Sequence, residues 1–542
     1  MLSGVPVDAT IPVSSDDDSA NQEIARQYDE RPYASEAFYF SSPAHIQAAA
    51  HLYGVAAPTP QRARVLEIGC AAGGNLLPFA LAYPDAEVVG VDLSPVQIEA
   101  GQQVLARAGV KNMTLHAMSL TDIGPEFGKF DYIIAHGVFS WVPPAVREAL
   151  MKLCHTHLTD EGVAYISYNT YPGWKAGDIV RDAMTLHAHG LTSGKERVES
   201  ARAVINMFKQ GMAGSNVLGA ALRKVLNALD GLPDYYLEHE YLETFNSPCY
   251  LVEFADMAMR NGLNHLGDAQ PQLEISANYG QKLQLNLSLI AIGQPRLIRQ
   301  QYLDFLVGQN FRKSLLVQLA RQVEMLHQPD PVRASGLRLA AHFDKVDAPA
   351  DADPRQGGQW LRDQGGVMIC ADTAAMQAVT DMLSQTWPRS LTVVELVEGI
   401  DMPPADIERA WLHLVSVGRV LLVQDRTPYD TASQAMAPSL IPGVMALLNP
   451  GGRNESQVAL SNLWHCPVRW KPDGAQFWAM SQMDGQRSES MLSKLLRDAW
   501  QQGSVQGPNG ESLKGQRNLD ALAQRFIRTL LEILRRHALR LS

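Results

Sequence analysis

The chain has 542 residues, of which 46% are hydrophobic, and its formal net charge is −11. This length suggests about three domains. The acidic balance disfavours a sequence-independent nucleic-acid binder, which needs a basic surface, so we expect no nucleic-acid partner. Residues 1–23 lack the basic and apolar regions of a signal peptide and are predicted to form a disordered acidic leader. No later apolar run is long enough to span a bilayer, so we expect a cytoplasmic protein without membrane insertion.

The five cysteines are scattered and form no Cys-x-x-Cys pair. Free thiols in a reducing compartment are therefore expected. The histidines show no third ligand at a usable spacing, and we predict no metal site.

Residues 64–169 alternate between strand-like and helix-like segments. The strand-like segments are RVLEIG, AEVVGVDL, NMTLHAM, FDYIIAHGV and GVAYISYN. After the second of them, Ser94 suits a helix N-cap and Pro95 suits the first helical position. This alternation is typical of an α/β fold in which helices cover both faces of a parallel sheet.

The next residues predict an insertion followed by a return to the sheet. Residues 175–245 are helical in pattern, without a convincing strand. Residues 246–325 contain two more strand-like segments, around NGLNHLGD and FRKSLLVQ. We expect these to be a sixth and a seventh strand of the same sheet, with the helical insertion packed over one sheet edge.

The C-terminal part, beyond a boundary near residues 325–335, predicts an α+β region. In residues 335–430 the pattern of three helices and a terminal strand resembles a winged helix. Acidic residues outnumber basic ones between Arg389 and Asp425, which favours a structural or protein-contact role over DNA binding. Residues 431–542 end in an amphipathic helix that is expected to pack its apolar face on this region.

A turn of small residues follows the first strand. The strand ends at Gly69, which is followed by Ala71, Gly73 and Gly74. Asp92 ends the next strand. Ligands of such sheets bind at the carboxyl ends of strands, where an acidic side chain can hydrogen-bond a ribose. The dinucleotide pattern G-x-G-x-x-G lacks its middle glycine here, so glycine spacing alone does not identify the ligand.

The charge around the turn distinguishes between the possible adenosine ligands. Glu67 lies two residues before the first glycine, and no arginine or lysine is near enough in sequence to bind a pyrophosphate. S-adenosylmethionine (SAM) is cationic at its sulfonium and amino group, whereas dinucleotides are anionic. The sequence therefore favours a methyltransferase over a dehydrogenase.

Longer segments carry a family resemblance. EIGCAAGGN and VDLS resemble motif I and the following acidic loop of class I SAM-dependent methyltransferases. YDERPYASEAFYFSSPAHIQAAAHLYG, HGVFSWVP, SYNTYPGW and LEHEYLETFNSPCYLVEFADMAMRNGLNHLGDAQ are similar to bacterial enzymes with a methyltransferase regulatory domain. That group includes rickettsial protein-lysine methyltransferases that modify outer-membrane proteins. The resemblance covers residues 24–325 and extends more weakly beyond them, where that family also has a winged-helix-like domain.

The resemblance implies a Rossmann-like SAM-binding domain over residues 24–174 and a regulatory-domain region over residues 246–325. Residues expected near the methionine end of SAM are Glu67, Gly69, Ala71, Gly73 and Asn75. Residues expected near its ribose and adenine are Asp92, Leu93, Met118, Ser119 and Leu120. His136 and Gly137 are expected beside the sulfonium. Ala71 replaces a frequent glycine, which predicts a slightly shifted loop and retained binding.

YDERPYASEAF fits a lid over the cofactor, with Tyr28, Tyr33 and Phe38 as the aromatic side chains that would close on it. Tyr33 is assigned to the cofactor site on this basis. Residues expected to act in methyl transfer follow the fourth and fifth strands, and they are His136, Trp141, Asn169 and Tyr171. Trp174, and His239 with Glu240 before the sixth strand, are further residues that could face the acceptor.

The leading interpretation is a SAM-dependent methyltransferase that modifies lysine side chains of a protein substrate. The resemblance suggests that this substrate is an outer-membrane protein. A small-metabolite methyltransferase and a non-catalytic SAM-binding regulatory protein are the alternatives. A homodimer is a possible assembly.

Overall fold

The computed structural model describes residues 35–243, 245–350, 352, 357–432, 437–448 and 458–541. The predicted leader and the lid residues Tyr28 and Tyr33 lie outside these ranges. The side chain of His239 also lies outside the described part of the chain.

A seven-stranded sheet organises the N-terminal part of the chain. Its strands are β1 (Arg64–Ile68), β2 (Glu87–Asp92), β3 (Met113–Ala117), β4 (Phe130–Ala135), β5 (Leu158–Asn169), β6 (Leu263–Asp268) and β7 (Phe311–Gln318). The spatial order is β3-β2-β1-β4-β5-β7-β6. The first five strands run parallel, and β7 pairs antiparallel with both β5 and β6. All seven strands predicted from the sequence are therefore confirmed in one sheet.

Helices cover both faces of this sheet. They are α1 (Pro43–Leu52), α2 (Leu77–Ala82), α3 (Pro95–Ala108), α4 (Pro144–His157), α9 (Leu251–Arg260), α10 (Gln281–Ile290) and α11 (Arg296–Val307). The sheet has an apolar core on each face, and alternate residues of β1 contribute to them. Val65 belongs to one core and Leu66 to the other. The predicted start of α3 is confirmed, because the Ser94 hydroxyl accepts from the backbone N–H of Gln97 and Pro95 occupies the first turn.

The insertion between β5 and β6 is helical, as predicted. It consists of α5 (Lys175–His187), α6 (Gly194–Gly211), α7 (Gly219–Ala228) and α8 (Asp234–Tyr241). These helices bury a small core of their own around Val180, Met184 and Leu226.

The region after the sheet holds the three helices and the terminal strand expected from the sequence, together with further short strands. The strands β8 (Arg338–Ala340), β12 (Leu391–Thr392) and β13 (Leu421–Val423) form one small sheet, and β9 (Phe343–Lys345), β10 (Gln359–Asp363) and β11 (Met368–Ala371) form another. The helices are α12 (Ala374–Thr386), α13 (Val393–Gly399) and α14 (Pro404–Ser416). The comparison of this region with a winged helix stays a prediction, as do the domain boundaries.

The C-terminal residues form a separate apolar core. Its helices are α15 (Pro428–Thr431), α16 (Val444–Leu448), α17 (Gly474–Ser481), α18 (Glu489–Gln502) and α19 (Leu519–Arg536). The terminal helix α19 buries Leu530 and Leu534 in this core, as its spacing predicted, together with Ile527. In the described part of the chain, no helix has both the length and the apolar character that a membrane span requires.

Candidate functional site

A cavity of about 470 Å³ lies where the carboxyl ends of β1, β2, β4 and β5 meet. The sheet order reverses between β1 and β4, and crevices at such points are the usual ligand sites of open α/β sheets. Of the thirteen residues predicted for the cofactor site, eleven line this cavity: Glu67, Gly69, Ala71, Asn75, Asp92, Leu93, Met118, Ser119, Leu120, His136 and Gly137.

The turn after β1 has the backbone conformation that its small residues suggested. Gly69, Ala71 and Gly73 all have positive φ, at 72°, 50° and 76°. For Ala71 this left-handed conformation costs about 1–2 kcal/mol. Its backbone N–H donates to Asp92 Oδ2 at 2.8 Å, which helps to hold the turn open toward the cavity.

Gly73 is a correction to the predicted site, since it does not line the cavity. A Cβ at this position would lie 2.6 Å from Met113 Cε, under the turn. Gly73 therefore permits the turn to pack on β3. Tyr33 cannot be placed, because it lies outside the described residues.

The Asp92 carboxylate joins the ends of two neighbouring elements. Its Oδ2 accepts from the Ala71 N–H, and its Oδ1 accepts from the Ser94 N–H at 2.9 Å. The side chain lines the cavity together with Leu93. Asp92 thus has a structural role in the glycine turn in addition to the ribose contact that its position predicted.

Glu67 is a buried carboxyl group at the floor of the cavity. Asn75 Nδ2 donates to its Oε1 at 2.6 Å, while its Oε2 has no hydrogen-bond partner among the described residues. Burial raises the pKa of Glu67 from 4.5 to about 8. A cationic amino group placed against Oε2 would both satisfy this oxygen and favour its charged form.

His136 directly follows β4 and is half-buried. Its Nδ1 lies 2.9 Å from the Tyr165 hydroxyl, and its ring stacks on Phe38. Burial lowers the pKa of His136 to about 3. A neutral imidazole at the cavity wall does not repel a sulfonium, but it is too weak a base to deprotonate an ammonium with a pKa of about 10.4.

Other cavity residues come from the turn after β4, from β5 and from the helical insertion. Trp141 and Asn169, both predicted, line the cavity, as do Trp174 and Glu240. Because α8 contributes Glu240, the insertion lies beside the carboxyl ends of the strands. The sheet edges are β3 and β6, and the expected packing of the insertion over one edge stays a prediction.

Tyr171 is the second correction. It does not line the cavity; its hydroxyl donates to Asp178 Oδ2 at 2.8 Å, and Lys175 Nζ lies 3.5 Å from its ring centre. Tyr171 therefore stabilises the entry into α5 and has no contact with the cavity.

Several lining residues were missed from the sequence. They are Ser35, Glu36, Cys70, Gln97, Val138, Val142, Val146, Glu243, Asn310 and Phe311. Asn310 and Phe311 reach the site because β7 is antiparallel, so its first residues lie at the carboxyl ends of the parallel strands. The orientation of the seventh strand would have predicted them.

The residues present fit SAM. The buried Glu67 oxygen without a partner suits the cofactor's amino group, and the positive-φ turn lets the backbone approach a ligand closely. Asp92 and Leu93 are placed for the ribose, with Ser119 and Leu120 beyond them.

Comparisons with known proteins agree with this geometry. A methyltransferase domain model matches residues 65–162, and a predicted methyltransferase regulatory domain model matches residues 233–318. The first match runs from β1 into β5, and the second spans α8, β6 and β7.

Two relatives are uncharacterized proteins of Rickettsia prowazekii (strain Madrid E). RP789 is 39% identical over 291 residues, which are 53% of this chain and 52% of RP789. RP028 is 34% identical over 234 residues, which are 43% of this chain and 94% of RP028. The chain thus spans about half of RP789 and nearly all of RP028.

The solved structure of PKMT2 from Rickettsia typhi shares the fold. It aligns with a TM-score of 0.77 at 23% identity, covering 94% of this chain and 100% of PKMT2. A further structure of PKMT2 is a complex with AdoHcy and aligns with a TM-score of 0.76. The chain belongs to the class I SAM-dependent methyltransferases that carry a methyltransferase regulatory domain.

Proposed function

We propose that the protein transfers methyl groups from SAM to lysine side chains of a protein substrate. The observation that carries this proposal is the composition of the cavity wall beyond the cofactor residues. Two carboxylates, Glu240 and Glu243, line the cavity together with the aromatic side chains Trp141, Trp174 and Phe311. Carboxylates and aromatic faces together attract a cationic amine.

The wall residues have separate tasks in this reaction. Glu240 and Glu243 draw the ammonium form of lysine into the cavity. The aromatic side chains exclude water, which disfavours the charged amine and favours the neutral nucleophile. His136 stays neutral and adds no positive charge next to the acceptor.

Alignment provides the remaining catalysis. When bound, SAM supplies the electrophilic methyl group. Asn169 is held at the end of β5 by two hydrogen bonds: its N–H donates to Ser140 Oγ at 2.9 Å, and its Nδ2 donates to Asn246 Oδ1 at 3.2 Å. A fixed polar group of this kind can orient an incoming amine, and good alignment contributes up to about 7–11 kcal/mol in favourable cases.

The resemblance of HGVFSWVP and SYNTYPGW to rickettsial protein-lysine methyltransferases supports the same acceptor. An outer-membrane protein is the substrate that the resemblance suggests. The cytoplasmic location and the homodimer stay predictions, which cell fractionation and light scattering would test.

The test is to incubate the protein with methyl-labelled SAM and a bacterial cell-envelope extract, and to resolve the label by size. We expect label in protein bands and methyl-lysine in their digests by mass spectrometry. Label only in small molecules would contradict the proposal and favour a metabolite acceptor. SAM binding without any transfer would favour the non-catalytic alternative.

A further inference from the structure

The buried side chain of Asn75 joins three distant parts of the chain. Its Nδ2 donates to Glu67 Oε1 in the SAM site. Its Oδ1 accepts from the Phe38 backbone N–H at 2.9 Å and from Ser41 Oγ at 3.1 Å, both in the N-terminal segment. The same Oδ1 lies 2.9 Å from Nε2 of His465, in the C-terminal region.

These contacts fix which atoms donate. The Phe38 N–H can only donate, so the Asn75 atom that it contacts is the carbonyl oxygen. His465 Nε2 must then be the donor, which makes the imidazole the Nε2-protonated tautomer. Burial lowers the pKa of His465 to about 3, so the ring is neutral at physiological pH.

Three hydrogen bonds anchor the loop that carries His465. Asn462 Oδ1 accepts from the backbone N–H groups of Trp464 at 3.0 Å and Cys466 at 3.2 Å. The Trp464 indole donates to the backbone oxygen of Pro388 at 2.8 Å. His465 itself has a φ of 62°, a conformation that a side-chain-bearing residue keeps only where its surroundings impose it.

We propose that His465 is a positioning residue of the SAM site. Through Asn75 it holds the Glu67 carboxylate in the orientation that receives the cofactor's amino group. SAM affinity then depends on a side chain 390 positions after Asn75, outside both regions that the family models match. The inference concerns SAM binding and is independent of the methyl acceptor.

Two substitutions separate this role from a general structural one. His465→Leu removes the donor, whereas His465→Gln keeps an N–H at similar reach. By titration calorimetry we expect His465→Leu to weaken SAM binding about tenfold, the usual size for a lost hydrogen bond to a buried polar group. His465→Gln should retain affinity within about threefold of the parent protein.

The control is Leu496→Ala, which opens a cavity in the same C-terminal core at a residue of α18, outside the loop that carries His465. It should lower the thermal midpoint and leave SAM affinity unchanged. An unchanged affinity in His465→Leu, or equal losses in the Leu and Gln variants, would overturn the proposal.

A second measurement needs no cofactor. Long-range ¹⁵N–¹H NMR of the ligand-free protein at pH 7 should show His465 neutral and protonated at Nε2. A charged ring, or one protonated at Nδ1, would break the proposed chain of hydrogen bonds and contradict the role of His465.

Discussion

The ring of Phe38 stacks on the imidazole of His136, with their centroids 3.8 Å apart and their planes inclined by 20°. Phe38 lies in the N-terminal segment, whose Ser35 carbonyl oxygen also accepts from the Ala459 N–H at 2.8 Å. This segment therefore lies between the glycine turn and the C-terminal region. Phe38 lines the cavity, and its function as a lid stays a prediction.

Phe38→Ala should weaken SAM binding. Loss of the stacked ring removes about 0.5–1.5 kcal/mol of pair interaction and opens the cavity wall to water. These energies correspond to roughly a three- to tenfold rise in the dissociation constant for SAM, which calorimetry would measure. Phe38→Tyr keeps the ring and is the matched control. Equal affinities for the Ala and Tyr variants would contradict a lid function.

SAM affinity should rise with pH through the titration of Glu67. Its pKa is about 8 in the ligand-free protein because burial disfavours the carboxylate, and Asp92 adds to this effect. A cationic ligand binds the ionised form better, so affinity should increase toward pH 8.5, by at most about tenfold per pH unit. Glu67→Gln should bind weakly and show a flat profile over pH 6–8.5. The same slope in both proteins would exclude Glu67 as its source.

The stability of the ligand-free protein should fall as pH rises, which is opposite to the pH dependence of SAM affinity. Glu67 has a raised folded-state pKa, so its contribution to stability is fully present below about pH 4.5 and is lost as pH rises through about 8. Thermal unfolding of the parent and of Glu67→Gln across this range would measure the difference. Saturating SAM should restore stability at high pH.

Asp92→Asn should disturb the turn as well as the ribose contact. Both Asp92 oxygens accept from backbone N–H groups, and an amide can offer only one oxygen to them. Its NH₂ would then face the N–H of either Ala71 or Ser94. We expect at least a tenfold loss of SAM affinity, consistent with a lost hydrogen bond to a charged group. An unchanged affinity would show that Asp92 is dispensable.

Glu240→Gln should act on the acceptor and leave the cofactor unaffected. We expect a raised KM for a lysine-containing protein substrate and an unchanged dissociation constant for SAM. Glu199→Gln is the control, because Glu199 is an exposed carboxylate on α6 of the same insertion. If the Glu240 and Glu199 variants have the same KM, the proposed lysine-binding wall is wrong.

Arg312→Met should destabilise the fold strongly. Arg312 is buried and bonds Asp304 at 2.6 Å, with Glu274 at 3.5 Å and Asp268 at 3.6 Å. Removing this guanidinium leaves three buried carboxyl groups without their Arg312 partner, a change that costs about 3–5 kcal/mol. Urea unfolding would measure it. Arg260→Met breaks exposed ion pairs and should change stability by less than about 1 kcal/mol.

Local patterns predicted most of the sheet. The signals were short-range: apolar runs of strand length, small residues after β1, and the Ser94–Pro95 start of α3. Each reflects a local structure that depends only on residues close together in sequence. Glu67, Ala71 and Asp92 reach the site because they lie at strand ends, where parallel strands meet at one edge. Tyr171 was expected in the site but does not line the cavity, because proximity in sequence to β5 does not determine the direction of a side chain in a turn.

The sequence by itself determined the cofactor class, since the carboxylate, the glycine turn and the second acidic residue lie within 26 residues of one another, from Glu67 to Asp92. Only the tertiary structure decided what completes the site. The antiparallel β7 brings Phe311, the insertion brings Glu240, and the C-terminal loop brings His465 against Asn75. These contacts depend on the packing of separate apolar cores, whose relative placement no local pattern of residues encodes.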